Sequence, residues 1–256
     1  MTALSRSGNK TKIAEEIINY FPHHSIYYEM FFGVGGLFFN KPLAKYNCVN
    51  DRDENICNFY WVVLKKFEEF SDLLNITPLS SDLLKKFKEN QNILTDVEKA
   101  VYFWLLSNIT FLGKPGSLRS RVTDNSKQQS FKEIKKELPW LKNAMIFNKD
   151  FRDFYKLIFS NNPKEFHKVL VYADPPYLKT RNNYSEKWSV DDLKDLLSMA
   201  NEKRVNFCIS EQNSDELQTL VSFYPNLKLI PILNKRSLLK NNQEVLIVNY
   251  NINKLF

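Results

Sequence analysis

Asp174-Pro175-Pro176-Tyr177 places a carboxylate, two prolines and an aromatic ring in four consecutive residues. Neither proline has an N–H, and each fixes its own φ. The carbonyls and the flanking Asp174 and Tyr177 are therefore confined to nearly one arrangement of acceptors beside a flat ring. The loop follows Val169-Leu170-Val171-Tyr172, an apolar run rich in β-branched residues that reads as a buried strand. In an α/β sheet, the carboxyl end of a strand is where ligands bind.

A second chemical feature lies upstream. Ser25 to Met30 reads as a strand running into Phe31-Phe32-Gly33-Val34-Gly35-Gly36, after which Leu37-Phe38-Phe39 reads as a helix start. Glycines admit a ligand close to the backbone, and a helix N-terminus offers free N–H groups, so the pattern suits a nucleotide-like ligand. The third glycine of GxGxxG is replaced by Phe38, and a plain structural turn stays open as an alternative. Asp51 ends the short apolar run Tyr46 to Val49, about twenty residues past the glycines, where an acid accepts from ribose hydroxyls. A dinucleotide and S-adenosylmethionine (SAM) share that ribose. Asp51 as a mere cap of the next helix is the competing reading.

The elements that must position these groups alternate along the chain. Helical spacing is expected at Ile13 to Phe21 with Thr11 as cap, at about Glu54 to Phe70, at Leu83 to Phe87, at Val97 to Leu106, at Phe131 to Leu141 and at Asp191 to Ala200. Strands are expected at Met145 to Phe147 and Val205 to Ser210, with a closing hairpin of Leu227 to Ile232 and Val245 to Tyr250. Asp150, just past a strand, suits an adenine amino group, with Phe151 packing nearby. Alternatively, Phe151, Phe154, Tyr155 and Ile158 form only the inner face of a helix. Gly113 to Ser130 reads as a polar loop in which Lys114, Arg119, Arg121 and Lys127 face only Asp124, a local excess of +3. Such a loop can follow a phosphate backbone or remain a solvated surface.

The 256 residues carry a formal charge of +7, which favours a polyanionic partner without dictating a fold. Cys48, Cys57 and Cys208 are scattered and unpaired in pattern, and they read as buried thiols, not as disulfides or zinc ligands. His23, His24 and His167 lack ligand-like spacing, so no metal is expected. The basic start MTALSRSGNKTK has no apolar core of a signal peptide, and no uncharged apolar run reaches about 18 residues. The expected location is cytoplasmic.

In this order, GNK at Gly8 to Lys10, EMFFGVGG at Glu29 to Gly36, NDRDEN at Asn50 to Asn55, DF at Asp150-Phe151, DPPY at Asp174 to Tyr177, IS at Ile209-Ser210 and EVLIVNY at Glu244 to Tyr250 resemble the N6-adenine DNA methyltransferases of the Dam type. The resemblance implies an α/β, Rossmann-like SAM-dependent methyltransferase sheet with a C-terminal antiparallel hairpin. Residues 1–72 and 145–256 would form the catalytic domain, and 73–144 an inserted, mostly helical target-recognition domain. It further implies that Lys10, Phe31, Gly33, Gly35, Asp51, Asp150, Phe151 and Asp174 line a SAM pocket. Asp51 would hold the ribose, Asp150 the adenine of the cofactor, and Asp174, Pro175, Pro176 and Tyr177 the catalytic loop. Double-stranded DNA would be met by Lys114, Arg119, Arg121, Lys127 and Tyr184. A monomer or weak dimer is expected, releasing S-adenosyl-L-homocysteine. The chain departs from the family pattern at Arg6, usually aromatic, at Met30, usually proline, and between Phe111 and Phe131. A catalytically silent DNA-binding module, or an amino methyltransferase acting on cytosine or RNA, are the competing readings.

Overall fold

A computed structural model describes residues 2–6, 8–111, 117–119, 124–160, 165–177, 188–232 and 244–252. In chain order the elements are α1 (Ala14–Ile18), β1 (Ile26–Glu29), β2 (Tyr46–Asn50), α2 (Glu54–Lys65), α3 (Phe67–Ile76), α4 (Ser81–Glu89), α5 (Asp96–Ile109), α6 (Asp124–Lys142), β3 (Met145–Phe147), α7 (Phe151–Ser160), β4 (Val169–Ala173), α8 (Val190–Asn201), β5 (Asn206–Gln212), α9 (Asp215–Val221), β6 (Lys228–Pro231) and β7 (Glu244–Val248). The fold is α/β with a mixed sheet whose centre is parallel, as the Rossmann-like expectation required.

Two compact units divide the chain. The first comprises Met1–Lys12, Phe32–Asn40 and Asp51–Lys149; the second comprises Ile13–Phe31, Lys41–Asn50 and Asp150–Phe256. The first unit contains the whole of 73–144 together with the glycine turn and Asp51.

The first unit is built on α5, whose Val97, Ala100, Val101, Trp104, Leu105 and Ile109 are all buried. A helix apolar on every side must be enclosed, and α2, α3 and α4 pack around this one. Thr95 and Glu98 start it with a reciprocal capping box: the Glu98 N–H donates to Thr95 Oγ1 at 3.3 Å, and the Thr95 N–H donates to Glu98 Oε2 at 2.8 Å. The single helix expected over Glu54 to Phe70 is broken at Lys66, whose φ of −136° leaves the helical region, so α2 and α3 are separate. The polar stretch expected to loop as far as Ser130 is already helical from Asp124.

In the second unit six strands lie in the order β2-β1-β4-β5-β7-β6. β2, β1, β4 and β5 run parallel, while β7 is antiparallel to both β5 and β6. All five residues of β4 are buried, each large apolar side chain contributing roughly 1.5–3 kcal/mol. The chain leaves β1 toward β2 on one side, whereas β4 leads to β5 on the other. The carboxyl ends of β1 and β4 thus meet where strand order reverses, the place at which open α/β sheets bind ligands. The register Glu29↔Tyr172 and a Met30 N–H to Tyr172 carbonyl bond of 2.9 Å bring those ends together. Cys48 and Cys208 are buried, but Cys57 is only partly covered. No helix among the described residues is long and apolar enough to cross a membrane.

Candidate active site

In the first unit the glycine turn and Asp51 are one assembly. Gly33 adopts φ +54°, in the left-handed region, and a Cβ there would meet nothing within 4 Å. Its N–H donates to Asp51 Oδ2 at 2.7 Å, while the Asp53 N–H donates to Asp51 Oδ1 at 2.9 Å. Burial pushes the Asp51 carboxyl up to about 6, against the pull of those two donors. Asp51 does not cap the next helix. Asp53 does, accepting from the Asn55 N–H at 3.1 Å, and Arg6 pairs with Asp53 at 2.8 Å. Asn9 and Lys10 press so closely on Gly36 that a Cβ there would lie 1.8 Å from Asn9 Oδ1. The GNK segment therefore packs directly on the glycine turn, with Lys10 buried and its ammonium on the Gly8 carbonyl at 3.2 Å. The helix expected to follow the glycines is only a three-residue 3-10 turn, Phe38–Asn40. The expected helix N-terminus, with its several free donors, is thus reduced to a single tight turn.

In the second unit, Phe31 follows β1 and Asp174 follows β4, at the two adjacent strand ends. Phe31 and Phe151 have ring centroids 5.6 Å apart, and Trp188 meets both, at 5.4 Å and 5.5 Å. Sequence reading missed Trp188; its place one residue before the α8 capping box of Ser189 and Asp192 was the available signal. Asp150 caps α7, accepting the Arg152 N–H at 2.9 Å. The Arg152 guanidinium lies 4.3 Å over the Phe151 ring and reaches Asp192 at 2.6 Å and Asp195 at 2.7 Å, which ties the start of α7 to α8.

The proline loop ends in Tyr177, whose hydroxyl donates to Glu244 Oε1 at 2.6 Å. Ser210 Oγ donates to the same oxygen. Burial raises the Tyr177 phenol well above its usual value, and the negative charges of Asp174 and Glu244 add to this, so it remains a donor.

A family profile for "D12 class N6 adenine-specific DNA methyltransferase" matches residues 7–238. The chain belongs to this family. Among solved structures, an rRNA methylase from Streptococcus thermophilus is 8% identical, covering 94% of this chain and 93% of that chain at a TM-score of 0.35. The rRNA methyltransferase aviRa from Streptomyces viridochromogenes is 10% identical, covering 97% and 89% at a TM-score of 0.39. Likeness at that level carries no weight for substrate.

As a D12 methyltransferase the chain is a SAM-dependent enzyme, and its residues fit that cofactor chemically. In the first unit, Gly33 leaves open space beside a carboxylate suited to hydroxyl donors. In the second, taken by itself, the Phe31, Phe151 and Trp188 rings suit a purine. Among the described residues no group of three or more His, Cys, Asp or Glu side chains could hold a metal ion.

The residues expected to meet DNA divide. Lys114, Arg121 and Tyr184 lie outside the described residues. Arg119 is exposed, and its Nε donates to the Thr110 carbonyl at 2.8 Å. Lys127 is corrected: it is only 4% exposed, and its ammonium donates to the carbonyls of Thr77 at 2.8 Å and Asn75 at 3.2 Å. It thereby satisfies the last carbonyls of α3, which helix geometry leaves without partners, and offers nothing to a phosphate. Two apolar residues beside Arg119 went unnoticed in the sequence. Phe111 is 62% exposed and Leu118 44%; Leu118 itself bridges antiparallel to Thr110, the residue before Phe111.

Proposed function

We propose that this enzyme transfers a methyl group from SAM to the exocyclic N6 amino group of an adenine in double-stranded DNA. The observation that carries the reading is the placement of Asp174 and its proline loop at the carboxyl end of β4, beside the end of β1, in a chain of the D12 family. SAM, when bound, supplies a methyl group on a positively charged sulfonium.

The adenine amino nitrogen is a poor nucleophile, because its lone pair is delocalised into the ring. The Asp174 carboxylate and the Pro175 carbonyl each accept one amino hydrogen, drawing the nitrogen toward a tetrahedral shape and directing its lone pair. This is positioning with electrostatic stabilisation. A carboxylate is too weak a base to remove a proton before attack, but it takes one from the cationic product. The target atom is inaccessible inside a duplex, so the adenine is extruded and stacks on Tyr177, a contact of about 1–3 kcal/mol. In the first unit, Asp51 would accept from ribose hydroxyls of the cofactor; in the second, Phe31, Phe151 and Trp188 offer rings suited to a purine. Arg119, Phe111 and Leu118 face the DNA.

The test is incubation with labelled SAM and DNA free of N6-methyladenine, followed by separation of the nucleosides. Label in N6-methyladenine supports the reading. Label in N4-methylcytosine, label only when RNA is supplied, or no label despite SAM binding would each overturn it.

A further inference from the structure

The proline loop has a second anchor that the chemistry above does not use. Tyr177 is joined to β4 by the backbone through Pro175 and Pro176, and to β7 by its hydroxyl bond to Glu244, 67 residues away. Glu244 opens β7 and pairs in register with Gln212 of β5, while Ser210, two residues earlier on β5 and fully buried, donates to the same carboxylate oxygen. Two hydroxyl donors from different elements therefore converge on one acceptor at the end of the tyrosine ring. We propose that Glu244, steadied by Ser210, is a positioning residue that fixes the ring of Tyr177 as the surface on which the extruded adenine stacks. The inference rests on the proposed function and deepens it.

The geometry explains why such an anchor matters. A phenol oxygen lies on the axis through Cβ and Cζ of its ring, so a bond to it holds the direction of that axis. With the backbone stiffened by two prolines at one end and the hydroxyl held at the other, the ring cannot swing to another χ1 rotamer. A base that leaves its duplex stack loses a few kcal/mol of stacking and recovers part of it only against a ring already in place. A bond to a carboxylate is stronger than one between neutral groups, which suits a contact that must persist while the base arrives. The same contact gives a role to the Ile209-Ser210 and Glu244 to Tyr250 motifs, whose polar members the methyl-transfer step leaves idle.

The test is a double-mutant cycle in the full chain with Tyr177→Phe, Glu244→Ala and both together, plus Glu244→Gln, which keeps an acceptor oxygen. The target adenine is first mapped with the wild type, and 2-aminopurine is placed there in a duplex. Tyr177→Phe and Glu244→Ala are each expected to slow single-turnover methyl transfer about tenfold, the loss of one hydrogen bond to a charged group. Each should also shrink the fluorescence rise that reports extrusion and leave SAM affinity within about twofold. The double variant should lose no more than either single one, and Glu244→Gln should keep most of the activity and most of the rise. Losses that multiply in the double variant, or a full rise in Glu244→Ala, would overturn the proposal. If Glu244→Ala does not fold, the cycle of Tyr177→Phe with Glu244→Gln decides, because a loss in Glu244→Gln that adds to that of Tyr177→Phe is equally contrary. A wild type that neither methylates nor extrudes would instead overturn the proposed function itself.

Discussion

The Gly33 amide donates to Asp51 Oδ2 at 2.7 Å, joining the glycine turn to the residue just past β2 across 18 positions of sequence. A carboxylate so held has its direction fixed before any ligand arrives, and preorganisation of this kind lowers the cost of binding. The same enclosure raises its pKa from 3.8 to about 6.

Cofactor affinity should therefore depend on pH in mildly acidic solution. Only the ionised carboxylate accepts two hydroxyl hydrogens, so the SAM dissociation constant is expected to be flat near neutral pH. Below about 6 it should rise by as much as about tenfold per pH unit. The sign separates this from unfolding. A carboxyl whose folded pKa is raised is protonated more readily in the folded chain, so its contribution to stability improves as pH falls from about 6 toward 3.8. Asp51→Asn should bind more weakly and lose the pH dependence in calorimetric titrations; a variant that still titrates near pH 6 would assign the effect elsewhere.

Asp174→Ala should separate binding from chemistry. On the proposed mechanism the carboxylate engages the amino group only during transfer, so single-turnover methylation is expected to fall by about 10²–10³ or more, as when one preorganised electrostatic contact is removed. SAM affinity should change little. Undiminished methylation in a rapid-quench assay would remove Asp174 from the mechanism.

Trp188 packs against Phe31 and Phe151, so Trp188→Ala is expected to weaken SAM binding about fivefold, in keeping with roughly 1 kcal/mol for an aromatic pair. Arg152→Ala should weaken it to a similar degree, because Arg152 spans Phe151 and the α8 carboxylates Asp192 and Asp195. Equilibrium dialysis with SAM checks both.

The strands were readable because β4 is a continuous apolar run followed by Asp174 and two prolines, and β5, β6 and β7 are short segments with apolar centres next to polar stretches of sequence. Helix limits were less so. Phe38 and Phe39 carry an apolar pattern that suits a helix, but they turn back to pack with Phe32 and Tyr60, and only one 3-10 turn forms. The break at Lys66 has no sequence marker, because neither glycine nor proline stands there. α9, only seven residues long and capped by Ser214, was too short for periodicity to reveal. Of the candidate site, Asp51, Gly33 and the proline loop were marked in the sequence by type and spacing. Trp188 was not, nor was the tie between Glu244 and Tyr177, since the partners Phe31, Phe151 and Tyr177 are distant in sequence. Lys127 was misread for the same reason: the carbonyls it caps are about fifty residues away.

That misreading yields a sharp contrast between two basic residues of one stretch. Arg119 is exposed, so Arg119→Ala should weaken DNA binding and reduce the slope of log K against log salt by about one, the share of one released counterion. Lys127→Met removes a buried ammonium and strands the Asn75 and Thr77 carbonyls, an expected cost of about 1–3 kcal/mol in stability. Its salt slope, measured below the melting temperature, should match the wild type, because an enclosed ammonium has no phosphate to neutralise. Thermal melts and salt-dependent filter binding on the two variants separate the effects. A reduced slope in Lys127→Met with an unchanged melting temperature would mean that the ammonium leaves α3 to meet DNA.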